Sequence, residues 1–136
     1  MTYLFDTTYL IDLVDGDPGA EAKAREVDAL GVTKAISVIT VHEYLRGMFY
    51  LYGGTPKLEE KLKRAESELA AFQVLPVTCE IAKKAAEIDA QLAKAGQVIS
   101  YQDVVIAATA LHHALILVTR NVRHFQRVPG LRLETY

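Results

Sequence analysis

Ala35-Ile36-Ser37-Val38-Ile39-Thr40-Val41-His42-Glu43 is the stretch that decides how this 136-residue chain folds. Ala35–Ile39 is short and rich in β-branched residues, which predicts a buried strand. Thr40-Val41-His42-Glu43 then has the spacing of a capping box. There a hydroxyl satisfies an orphan amide of the first turn and an acid three residues on reaches back. The spacing predicts a helix from this point through Tyr52, stopped by Gly53-Gly54. The same transition from apolar run to helix start recurs at Tyr3-Leu4-Phe5-Asp6, at Val98-Ile99-Ser100-Tyr101-Gln102-Asp103 and at Leu115-Ile116-Leu117-Val118-Thr119-Arg120-Asn121. Short strands alternating with helices predict parallel βα units, hence an α/β fold around a parallel sheet.

The segments between these junctions fit that frame. Asp6 caps a helix to about Val14, and Asp15-Gly16-Asp17-Pro18 forms a turn with proline placed to open the next helix. Glu21–Leu30 carries mostly alanine and charge, which predicts a surface helix ended by Gly31. Pro56 opens a charged amphipathic helix with Leu58, Leu62, Ala65, Leu69 and Phe72 on one side. Phe72–Val77 reads as a short strand interrupted by Pro76. Thr78-Cys79-Glu80-Ile81 starts a helix with Ile81, Ala85, Ile88 and Leu92 at helical spacing, stopped by Gly96. After the second capping box at Ser100–Asp103, Val104–Leu111 is almost wholly apolar and must be deeply buried. Leu115–Val118 has a central-strand pattern, and Leu131-Arg132-Leu133 suits an edge strand.

Composition limits the function classes. One domain, residues 1–136, accommodates the length. With 15 basic and 17 acidic residues the net charge is −2, so bulk charge does not mark a nucleic-acid binder, although a local patch with a metal can still hold a phosphodiester. No apolar run approaches the roughly 20 residues of a membrane span. No basic segment precedes an apolar one at the N-terminus, which argues against a secretory signal. The single cysteine, Cys79, excludes an internal disulfide and a cysteine-built zinc site. A reducing cytoplasm is the expected location, with no membrane partner.

Three of the four junctions end in an acid: Asp6, Glu43 and Asp103. The fourth ends in the amide of Asn121. Each taken alone has a structural explanation, because these are common capping residues and a cap stabilises a helix by about 0.5–2 kcal/mol. Taken together they point elsewhere. Neighbouring parallel strands share one carboxyl edge, where ligands of open α/β sheets bind. Acids converging there repel one another unless a cation neutralises them, which predicts a bound metal. His42 and His112-His113 read as packed, capping or surface residues, and Cys79 as a small packing residue. Met48-Phe49-Tyr50-Leu51-Tyr52 is unusually aromatic for a helix end, and any exposed part would suggest a partner surface.

Four blocks, in order and at matching separations, resemble the PIN-domain ribonucleases, specifically the VapC-type toxins of prokaryotic toxin–antitoxin pairs. They are Leu4–Asp12, Ser37–Gly47, Ile99–Ala110 and Leu117–Phe125, followed by Pro129-Gly130-Leu131. The resemblance implies a PIN-like α/β/α sandwich and cleavage of RNA dependent on Mg²⁺ or Mn²⁺. It carries Asp6, Glu43 and Asp103 onto the family's acidic cluster, with Asp6 and Asp103 the leading metal ligands. Asn121 and Thr8 are the further catalytic-site candidates, positioning waters or carboxylates. The chain departs from its relatives in two places. Thr8 stands where similar proteins often carry Asn or Ser, and His124 where many have Asp, which weakens the case for a second tightly held metal. Arg46, Arg120 and Arg123 are candidate contacts to the RNA backbone. The resemblance also implies a homodimer and a small VapB-type antitoxin, for which Met48–Tyr52 offers a contact surface.

Two other enzyme readings are weaker. A haloacid dehalogenase-like phosphotransferase would need a second Asp two residues after Asp6, and a receiver domain would need an acidic pair at the first strand. A binding module whose acids only cap helices, and a PIN-fold RNA-processing nuclease outside any toxin pair, remain the alternatives to the toxin reading.

Overall fold

The computed structural model describes residues 2–136 and contains five short strands, all parallel, in one sheet ordered β3-β2-β1-β4-β5. The strands are β1 Tyr3–Phe5, β2 Lys34–Ser37, β3 Gln73–Leu75, β4 Ile116–Val118 and β5 Leu133–Glu134. The helices are α1 Thr7–Val14, α2 Pro18–Leu30, α3 Val38–Tyr52, α4 Leu58–Leu69, α5 Cys79–Lys94, α6 Tyr101–His112 and the single-turn α7 Val122–Phe125.

Alternation along the strands builds the two layers, because successive side chains point to opposite faces. Leu4 is in register with Ala35 on one side and Leu117 on the other. All three are fully buried in the core formed with Ile81, Ile88 and Leu92 of α5 and Val104–Ala108 of α6. Their neighbours Tyr3, Phe5, Ile36 and Val118 face the opposite way, into a core with Tyr9 and Leu10 of α1, Val27 of α2, Tyr44 of α3 and Ala65 and Leu69 of α4. The result is an α/β/α sandwich. Helix α6 is buried continuously from Val104 to Ala110, as an all-apolar helix must be.

Several boundaries differ from the sequence expectation, and one matters for function. Strand β2 ends at Ser37 and α3 begins at Val38, so Val38 and Ile39 are helical. Ser37 itself is the cap, its hydroxyl accepting from the Ile39 amide at 3.1 Å. Thr40 is therefore not the cap, and Glu43 lies in the second turn instead of the first. Val98 and Ile99 form no strand: α6 follows α5 through a connection that ends at the cap Ser100. The last strand is Leu133–Glu134, two residues beyond the start of the expected edge strand, and the third is trimmed to Gln73–Leu75. Helix α2 is less superficial than its alanines suggest, since Ala20, Lys23 and Val27 are buried. Lys23 is accommodated by ion pairs to Glu134 at 2.6 Å and Glu26 at 3.1 Å.

Candidate active site

Strand order reverses between β1, which leads next to β2 on one side, and β4 on the other, and this switch point is where open parallel sheets present ligand sites. At the carboxyl edge there, Asp6, Thr7, Thr8, Ile11, Ile39, His42, Glu43, Arg46, Tyr101, Gln102, Asp103 and Asn121 line a cleft of about 610 Å³. The three acids of the sequence reading thus share one cavity with Asn121 and Thr8.

Asp6 occupies the N-cap position of α1, yet its side chain makes no capping hydrogen bond. It is 4% exposed, and Oδ2 accepts from the Thr119 hydroxyl at 2.7 Å. Burial pushes its pKa up to about 6, and the charges of Asp103 and Glu43 push in the same direction while the Thr119 hydrogen bond opposes them. A capping role does not account for a buried acid held this way. Asp103 arrives on the first turn of α6, where the Ser100 hydroxyl accepts from its amide at 3.1 Å. Its pKa is also raised, by desolvation first.

Glu43 reaches the cleft because α3 starts early. From the second turn its Oε1 accepts from the Thr7 hydroxyl at 2.7 Å, and that hydroxyl also lies 2.9 Å from Thr40 Oγ1. Thr7 has one proton and a carboxylate only accepts, so the relay runs from Thr40 to Thr7 to Glu43. Thr7 is buried and Thr8 exposed, adjacent helix positions pointing in different directions. Thr8 lines the cleft, but the hydroxyls that orient carboxylates are those of Thr7 and Thr119. Sequence reasoning missed both. The available signal was a hydroxyl within two residues of the end of each of two central strands, Thr7 after β1 and Thr119 after β4.

Asn121 sits at the start of α7 without a side-chain cap bond. Its amide nitrogen donates to Thr119 Oγ1 at 2.9 Å, and its Nδ2 lies 2.8 Å from His124 Nδ1. His124 Nδ1 is 3.9 Å from Asp103 Oδ2. His124 therefore adjoins Asp103. Asn121 Nδ2 can donate to His124 Nδ1 wherever that nitrogen carries no proton.

Arg46, on the cleft wall, forms no ion pair among the described residues and packs its guanidinium 5.9 Å from the Tyr50 ring. Arg120 is committed elsewhere. It forks onto Asp17, approaches Asp12 at 3.6 Å, donates to the Tyr136 carbonyl at 3.0 Å and stacks over the Tyr136 ring at 4.3 Å. It ties Tyr136 to Asp12 and Asp17. Arg123 is exposed on α7. His42 is exposed on the cleft wall, and Cys79 is exposed and unbonded.

The donor set suits a hard cation. Among the described residues no three His, Cys, Asp or Glu side chains form a ready metal cage. Mg²⁺ does not require one: it is bound through one or two carboxylates, with water and substrate phosphate completing the shell. The Asp6 carboxyl, raised first by burial and further by Asp103 and Glu43, fits such an ion.

The PIN domain profile matches residues 3–131. The chain belongs to the PIN-domain family. It is 30% identical to the tRNA(fMet)-specific endonuclease VapC of Salmonella typhimurium, covering 100% of this chain and 98% of that one. It is 32% identical to Ribonuclease VapC2 of Haemophilus influenzae over the same shares. Among solved structures, VapBC2 from Rickettsia felis bound to a promoter DNA fragment superposes with a TM-score of 0.87 at 25% identity, covering 100% of this chain and 99% of that chain. DNA-bound VapBC from Salmonella typhimurium gives 0.86 at 29% identity, covering 99% and 98%. The PIN domain described here is thus of the VapC type along its full length.

Proposed function

We propose that this PIN domain is a ribonuclease, the toxic component of a VapBC-type pair, and that it hydrolyses RNA phosphodiester bonds with Mg²⁺ or Mn²⁺. The observation that carries the chemistry is the buried Asp6, sharing one cleft with Glu43 and Asp103 at the switch point. Full-length similarity to VapC ribonucleases carries the RNA substrate, and similarity to VapBC complexes carries the toxin role.

Asp6 and Asp103 would hold the ion, with Glu43 reaching it through water or orienting the attacking water. When bound, the ion lowers the pKa of that water and offsets charge on the phosphate. The chain supplies the rest. Thr119 fixes the Asp6 carboxylate, and the Thr40–Thr7 relay fixes Glu43. Arg46 can take a phosphate oxygen of the incoming strand. Helices α1 and α6 both begin at the cleft, so their N-terminal amides favour an anion there.

For the antitoxin, a second groove of about 330 Å³ between α1, α3 and α4 shares Ile11 and Glu43 with the cleft. Met48, Leu51 and Tyr52 line it. One extended partner can therefore anchor apolar side chains in the groove and pass a basic side chain to the acids. Phe49 and Tyr50 are exposed on the same helix end, and we assign them to a homodimer contact. Incubating the purified protein with total RNA and mapping the new ends tests the activity. Discrete cleavage in one RNA class supports the toxin reading, and intact RNA in the presence of either metal contradicts it.

A further inference from the structure

Seven tyrosines occur in the chain. Tyr3, Tyr9 and Tyr136 pack against other rings, Tyr44 donates to Glu68, and Tyr50 and Tyr52 carry Arg46 and Lys61 over their faces. Tyr101 has no such partner among the described residues. It is 68% exposed and it lines the acidic cleft. It occupies the first position of α6, two residues before Asp103, a rise of about 3 Å along the helix. A first helical position favours proline and buries nothing here, so neither helix stability nor core packing asks for an aromatic ring.

We infer that Tyr101 is the base-stacking platform of the cleft, placing its ring against the face of a single-stranded base beside the phosphate held near Asp103. The inference rests on the ribonuclease reading above. Single-stranded RNA is gripped by aromatic faces together with backbone charges, and here the unoccupied ring and the cation of Arg46 line the same cavity as the acids. Every base has a π-face, so the ring orients a nucleotide without selecting its identity.

The chain contains no tryptophan, so Tyr101→Trp carries its sole indole. Steady-state cleavage of a short unstructured RNA is compared for wild type, Tyr101→Ala, Tyr101→Phe and Tyr101→Trp. Stopped-flow mixing of Tyr101→Trp with that RNA, or with an abasic ribose-phosphate chain of equal length, reads indole fluorescence in Mg²⁺ before cleavage. Stacking predicts that Phe and Trp keep KM near wild type. Ala should raise KM roughly 5- to 100-fold, with a smaller loss in kcat. RNA should quench the indole and the abasic chain should not. Wild-type KM in Tyr101→Ala, or equal quenching by both chains, overturns the inference while leaving the ribonuclease reading intact. If wild type cuts no RNA, the ribonuclease reading fails, and the quenching comparison alone then decides whether the ring stacks on bases.

Discussion

Burial first, then the charges of Asp103 and Glu43, raise the Asp6 carboxyl to about 6. A carboxyl whose value is raised in the folded state contributes stability below its unfolded value, and that contribution is lost as pH rises through the folded value. In chelator, urea denaturation should therefore show a more stable protein at pH 5 than at pH 7.5, with Asp103 acting in the same direction. The rise from 3.8 to about 6 corresponds to about 3 kcal/mol at pH 7.5. Asp6→Asn should recover part of this and flatten the pH dependence while losing most RNA cleavage. A metal-free Asp6→Asn protein less stable than wild type at pH 7.5 would show that the charge is compensated within the fold. Thr119→Val removes the hydroxyl that holds Asp6 with little change in volume. It should cut activity about 10- to 100-fold, as loss of a group that orients a ligand does, and Thr119→Ser should restore it.

At the scale of elements, the parallel sheet, the buried α6 and the helix starts at its carboxyl edge were legible because hydrophobic period and caps report them directly. The two capping boxes look alike in sequence but behave differently. At Ser100–Asp103 the serine caps the helix where it was read, whereas at Thr40–Glu43 the upstream Ser37 takes the cap and starts α3 three residues earlier. A local motif cannot rank two competing caps; strand register decides, since Ser37 pairs with Leu75 at the end of β2. Ser37→Ala should destabilise the fold by about 1 kcal/mol in urea, and Thr40→Val should perturb the Thr7–Glu43 contact and slow cleavage more than it destabilises. The role of Arg120 was hidden for another reason, because its partners Asp17 and Tyr136 are distant in sequence. Arg120→Ala should lower thermal stability by releasing Tyr136 and leave RNA affinity unchanged, as read by fluorescence anisotropy.

Two joined surfaces stand out among the described residues: an acidic cleft and, linked to it through Ile11 and Glu43, a groove with an aromatic rim. No helix among the described residues is long and apolar enough to cross a membrane. Exposed Phe49, Tyr50 and Leu51, at 54%, 79% and 62%, are what a protein contact would cover. On the proposed homodimer, light scattering should report a dimer for wild type and a monomer for Phe49→Ala with Tyr50→Ala, with the proposed metal binding unaffected. Unchanged mass would move that interface elsewhere. The central claim is that Asp6 and Asp103 sustain metal-dependent cleavage of RNA. It is tested most directly by cleavage of one susceptible RNA by wild type, Asp6→Asn and Asp103→Asn, each with Mg²⁺ or Mn²⁺ and each with chelator. We predict cutting by wild type with metal, its loss in chelator, its return on adding Mg²⁺ or Mn²⁺, and near-complete loss in both folded variants. Undiminished cutting in chelator, or by both variants, would contradict the account.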